Sequence, residues 1–162
     1  MPCPAMLRRV NLLLAACVVA LALACVVSMC RPVRFADAVA RREQVVKERL
    51  LIIRAAEEHY CERYGHYTDD WQALVAAHLL PPEAQWIPYA DSVAFTLRVS
   101  NDVSVSGEPL PLVECEAAYA TYLHGLDADQ VKAHARQAER QGRFPGLKFG
   151  DINKPNNNAT NW

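Results

Sequence analysis

The sequence predicts an α+β protein: a long amino-terminal helix that spans a membrane and continues as a stalk packed on a small antiparallel sheet, with two short helices beside it. Three observations predict it. Val10 to Cys30 runs for 21 residues without a charge, close to the ~20 a helix needs to cross a bilayer core. Apolar residues between Val46 and Tyr64 recur at spacings of three and four, the helical period. From Ser92 the period changes to alternation, the mark of a half-buried strand. The organisation that follows is a short basic head over 1–9, a transmembrane helix over 10–30, an α+β soluble domain over 31–152 and a polar tail over 153–162.

The apolar segment admits three fates. Left uncleaved, Val10 to Cys30 is an anchor in contact with membrane lipid. Arg8 and Arg9 followed by Ala22-Leu23-Ala24 also fit a signal peptide with its cleavage site, and Leu14-Ala15-Ala16-Cys17 has the pattern of lipoprotein processing. Length favours the anchor, because either cleavage leaves apolar residues uncovered on the mature chain. Arg31, Arg34, Arg41 and Arg42 outnumber Arg8 and Arg9, which by the positive-inside count turns the carboxy-terminal side to the cytoplasm. A short basic head with a large trailing domain nevertheless inserts as signal peptides do, so the expectation is a single-pass inner-membrane protein with a periplasmic domain. The Arg31 to Arg42 cluster then sits at the lipid headgroups.

The helix continues after Pro32 to about Tyr64, with Val46, Leu50, Ile53, Ala56 or Glu57, Tyr60 and Tyr64 along one face. "RYGHYTDDWQAL", Arg63 to Leu74, ends it. Gly65 takes the left-handed conformation that closes a helix, and Tyr67 folds back on Tyr60 and Tyr64. Thr68 is the expected N-cap of a second helix, with Asp69 and Asp70 in its first turn and Trp71, Leu74, Val75 and Leu79 as its buried stripe. Pro81-Pro82 stop it. "SVAFTLRVS", Ser92 to Ser100, is the first strand, "VSVSG" a short one after the Asn101-Asp102 turn, and "LPLVECEAAYATYL" a second strong one, with Pro109 and Pro111 marking an edge or a start. A polar helix from Asp127 to about Gln141 stops at Gly142; "PGLKFGDI" is the closing strand and "NKPNNNATNW" a tail with little to bury.

Chemistry-bearing patterns are sparse. The net charge is −1 and acids interleave with bases after Arg42, which excludes a phosphate-tracking stripe and makes nucleic acid an unexpected partner. His59, Cys61, His66 and Asp70 are the candidates for a metal or hydrolytic site. Positions two apart on a helix diverge, however, and no second Cys or His pair stands at zinc spacing, so neither metal nor cofactor is expected. Glu57-Glu58 and Asp69-Asp70 are adjacent carboxylates that likewise diverge. No nucleophile elbow, phosphate loop or dinucleotide fingerprint occurs. Cys61 and Cys115 are the candidate disulfide in the soluble part, with two buried thiols as the alternative. Tyr60, Tyr64, Gly65, Tyr67, Thr68 and Trp71 read as structural residues of a corner.

Arg41 to Leu74 and Gly125 to Trp162 resemble a family of single-span envelope proteins of Bacteroides-type bacteria, whose members carry an arginine-rich helix ending in Tyr-Gly-x-Tyr-Thr and close on Pro-Gly-Leu-Lys-x-Gly with an asparagine-rich end. The resemblance implies an anchored domain of unknown role. The structural account of the polar residues together with the anchor leads to the expectation of a non-catalytic envelope protein that binds other envelope proteins or itself, with a pilin-like subunit, or a membrane-tethered hydrolase or metal protein, as the alternatives. The chain is more loosely similar to type IV pilins and pseudopilins, through a membrane helix running into a sheet-packed domain and the arrangement of Tyr60, Gly65 and Tyr67. It departs from them in lacking a Gly-Phe processing site near Arg9 and a glutamate early in the apolar segment.

Overall fold

The computed structural model describes residues 4–103, 109–153 and 155–162. Cys3, the side chains of Arg8, Arg9, Val10, Cys30 and Arg31, and all of the "VSVSG" strand after Val103 lie outside the described residues. The elements are α1 (Pro4–Tyr64), α2 (Trp71–Ala76), a 3₁₀ turn (Pro82–Gln85), β1 (Thr96–Val103), β2 (Pro109–Ala118), α3 (Tyr119–Tyr122), α4 (Ala128–Arg140) and β3 (Gly146–Gly150). The chain divides into two compact units, Met1–Ala38 and Val39–Trp162.

The first unit is the amino-terminal part of α1, with Leu12, Leu13, Leu14, Val18, Val19, Leu21, Leu23 and Val26 exposed. Among the described residues no helix is long and apolar enough to cross a membrane. The expected span over Val10 to Cys30, and with it the single-pass inner-membrane placement, is therefore corrected. So is the role given to Arg42. Its Nη1 donates to the carbonyls of Tyr122 at 2.9 Å and His124 at 2.7 Å, and its guanidinium lies 4.8 Å from the centre of the Tyr89 ring.

The second unit is α+β with a three-stranded antiparallel sheet in the order β1-β2-β3. Val46, Leu50, Ile53 and Ala56 of α1 are buried at the helical period, as are Val113, Cys115 and Ala117 of β2 at the strand period. Leu74, Phe95, Tyr122, Leu123, Leu147 and Phe149 are buried with them. Tyr64, expected on the buried stripe, is 49 % exposed because α1 ends there.

β1 begins at Thr96 rather than Ser92. Tyr89 and Ser92 take positive φ, and Trp86 pairs with Ala94 in an isolated bridge, so the chain is still turning where alternation alone reads as strand. β2 stops at Ala118, and Tyr119–Tyr122 coils into a helical turn that buries both tyrosines. Gly150 stands at φ +75°, and a Cβ there would land on the Val113 carbonyl, so close pairing of β3 with β2 requires glycine.

Candidate functional site

The corner after α1 is built from backbone needs outward. Gly65, at φ +80°, donates its N–H to the Cys61 carbonyl at 2.7 Å and closes the helix; a Cβ there would meet open space, so the dihedral alone selects glycine. Thr68 is not the cap of α2. Its Oγ1 accepts from Asp70 N at 3.1 Å, and Asp70 Oδ1 accepts from Gln72 N at 2.8 Å, which makes Asp70 the N-cap and Trp71 the first helical residue. Two short side chains thus share the cap, and the helix starts two residues later than expected. Tyr60 and Tyr64 stack with ring centres 4.5 Å apart, but the ring that closes edge-on over Tyr60 is His66 at 5.8 Å.

Tyr67 turns to the carboxy-terminal tail. Asn158 Nδ2 donates to Tyr67 Oη at 3.0 Å and to Glu58 Oε1 at 3.3 Å, while Arg54 donates to the Asn158 carbonyl at 3.5 Å. The tail, expected to bury little, is annexed to the edge of β3. Gly150 N donates to the Ala159 carbonyl, Lys148 and Asn161 exchange two bonds, and Asn161 Nδ2 donates to the Gly146 carbonyl at 3.0 Å. Asn157 and Asn158 adopt φ of 55° and 52°, left-handed values that asparagine tolerates better than other non-glycine residues, and this turn aims Asn158 at the corner.

Corner and tail together wall a cavity of about 410 Å³ lined by Glu58, Tyr67, Leu112, Asp151 and Asn156 among others. Its carboxylates are already engaged. Glu58 lies 3.4 Å from Arg54 Nε and receives Asn158, and Asp151 Oδ1 accepts from Asn153 N at 2.9 Å.

Beneath the corner lies Glu57, fully buried. Its Oε2 accepts the Thr68 N–H at 3.2 Å, and its Oε1 has no hydrogen-bond partner. Burial pushes the carboxyl up to about 7, against the lowering effect of the Thr68 bond and with a further push from Asp69. Cys61 and Cys115 are both free thiols, raised in pKa chiefly by burial, with the Glu57 charge adding to it.

The residues considered for metal or hydrolytic chemistry stand apart from one another. His59 is mostly exposed and lies 3.2 Å from Glu62, His66 Nδ1 lies 3.0 Å from the Tyr64 carbonyl, and Asp70 is spent on its cap. Among the described residues no three His, Cys, Asp or Glu side chains gather at metal distance.

Sequence reasoning missed an ionic cluster across the sheet. Arg98 of β1 reaches Glu114 at 2.7 Å and Glu116 at 2.9 Å on β2, and Lys148 of β3 reaches Glu114 at 2.9 Å. Its signal was two glutamates at i and i+2 in an apolar strand, hence on one face. The partners needed the register to be known. No known protein family, curated protein or solved structure matches the chain.

Proposed function

We propose that the chain is a non-catalytic structural protein that joins other proteins through the apolar part of α1, with Val39–Trp162 as its folded unit. The observation that carries this reading is the exposure of Leu12, Leu13, Leu14, Val18, Val19, Leu21, Leu23 and Val26. At about 100° per residue these side chains point to every side of the helix, a pattern proper to a helix surrounded by other apolar surfaces. Apolar surface of this extent marks association. Further copies of the chain or other envelope proteins are the partners this reading names. The engagement of Asp70, His66, Glu58 and Tyr67 in local bonds supports a non-catalytic role.

A pilin-like, self-assembling subunit is the second reading, favoured by a helix that runs unbroken from Pro4 to Tyr64 into the unit carrying the antiparallel sheet. Sedimentation with chemical crosslinking tests the proposal. The intact chain is expected to sediment as an assembly, and L13E with V18E to release it without altering the unfolding of Val39–Trp162. A chain that stays monomeric at about 50 μM, with no protein crosslinked in cells, would sink both readings. Crosslinks only to unlike proteins would retain the first and remove the second.

A further inference from the structure

Within the Val39–Trp162 unit α1 has a buried face and an open one. Val46, Leu50, Ile53 and Ala56 go to the core, while on the opposite side Leu51 and Ile52 are 44 % and 47 % exposed and Ala55 is exposed beside them. At about 100° per residue these three fall on one line with Glu48 a turn before and His59 a turn after. Gln44 and Arg41 continue the line in one direction and Glu62 in the other, all of them exposed. It is about 32 Å long at 1.5 Å per residue. The polar groups at its two ends bond along the helix: Gln44 Nε2 donates to Glu48 Oε1 at 2.9 Å, and His59 Nδ1 lies 3.2 Å from Glu62 Oε2. The aliphatic middle is left to water.

The order of chemistry along this line points to what covers it. About the step between Leu51 and Ile52 the line is matched in position and complementary in charge: Arg41 lies as far before that step as Glu62 lies after it, and Gln44 is matched in the same way by His59. A second copy laid antiparallel across the step sets Leu51 on Ile52, Gln44 on His59 and Arg41 on Glu62, and the two-fold axis repeats each pair. Glu48 then faces the small Ala55 and stands one turn from His59 of the second copy. A parallel pair instead sets Arg41 on Arg41, Glu48 on Glu48 and Glu62 on Glu62, juxtapositions that like charges oppose. We propose that this face of α1 is a self-complementary docking surface on which a second copy of the chain packs antiparallel, with the two-fold axis at the Leu51–Ile52 step. The surface is separate from the leucines and valines between Leu12 and Val26, so the inference goes beyond the function proposed above and is decided apart from it.

The test is sedimentation equilibrium of the full chain carrying L13E and V18E, which removes association through the amino-terminal part of α1, from about 5 to about 200 μM. A monomer–dimer equilibrium is expected to remain. Leu51→Glu with Ile52→Glu should leave monomer throughout, with an unchanged urea midpoint because both side chains are exposed. Arg41→Glu alone and Glu62→Arg alone should each weaken the dimer roughly tenfold, since each turns two attractive pairs repulsive, and the two together should restore it. A benzophenone side chain in place of His59 should attach near Gln44 of a second copy; within one helix those positions are about 22 Å apart, so that product forms only between antiparallel copies. Monomer at every concentration, a dimer indifferent to Leu51→Glu with Ile52→Glu, no recovery in the doubly reversed chain, or attachment around position 59 itself would overturn the proposal. If the L13E and V18E chain is monomeric while the unmodified chain assembles, this inference fails and the proposed function stands. If both chains stop at the same dimer, the inference stands and association through the amino-terminal part of α1 fails.

Discussion

Two residues carry unusual thermodynamic weight. Glu57 titrates near 4.5 when unfolded and near 7 when folded, because burial disfavours its anion. The folded state then keeps a proton that the unfolded chain releases, so the Glu57 contribution to stability is greatest below about pH 4.5 and declines as pH rises to about 7, levelling off above it. The decline should amount to roughly 3 kcal/mol at most. Urea midpoints measured across that interval should show it, and Glu57→Gln should flatten it. Gly150 is constrained by both dihedral and space. Gly150→Ala forces a Cβ into the Val113 carbonyl, and should cost more than about 3 kcal/mol in denaturant melts, since neither backbone can move without breaking the ladder. Gly65→Ala meets no atom and bears only the left-handed strain, so its cost should be nearer 1 kcal/mol.

At the scale of elements, the tail is held by its asparagines. Asn161 supplies an acceptor to Lys148 N and a donor to the Gly146 carbonyl, so Asn161→Ala removes two bonds to the edge of β3. It should destabilise the unit by about 1–3 kcal/mol and should release amide protection at Gly150, whose N–H meets the Ala159 carbonyl. The pattern of legibility follows from the same physics. The part of α1 from about 32 to Tyr64, α4 and β3 were readable because each announces itself locally, by helical period, by Asp127 capping Asp129 and Gln130, and by Gly146 and Gly150 bracketing the alternating Leu147-Lys148-Phe149. β1 was read four residues early because Val93 and Phe95 alternate within a segment whose backbone is spent on a turn. The corner was legible as a corner, yet the partners of its residues were not. Tyr67 meets Asn158 across 91 positions, Glu57 meets Thr68 through a backbone atom, and neither bond leaves a mark in the residues nearby. The tail misled for a related reason: asparagine-rich composition signals solvation, while edge pairing needs only backbone groups and well-placed amides.

Across the whole molecule, the division at Ala38 leaves the exposed leucines and valines between Leu12 and Val26 in one unit and the buried core in the other. A chain beginning at Val39 should keep one cooperative urea transition with the midpoint of the intact protein, because Val39–Trp162 is a compact unit with a buried core of its own. A transition split in two, or a midpoint lowered by more than about 0.5 M, would show that the amino-terminal helix stabilises the rest. Within that unit, Lys148 and Phe149 pair with Thr160 and Asn161, and Asn158 reaches back to Glu58 on α1. These late residues tie together helix and sheet. During synthesis the domain therefore cannot finish closing until Asn161 has cleared the ribosomal exit tunnel, which leaves the nascent edge of β3 bare for that interval.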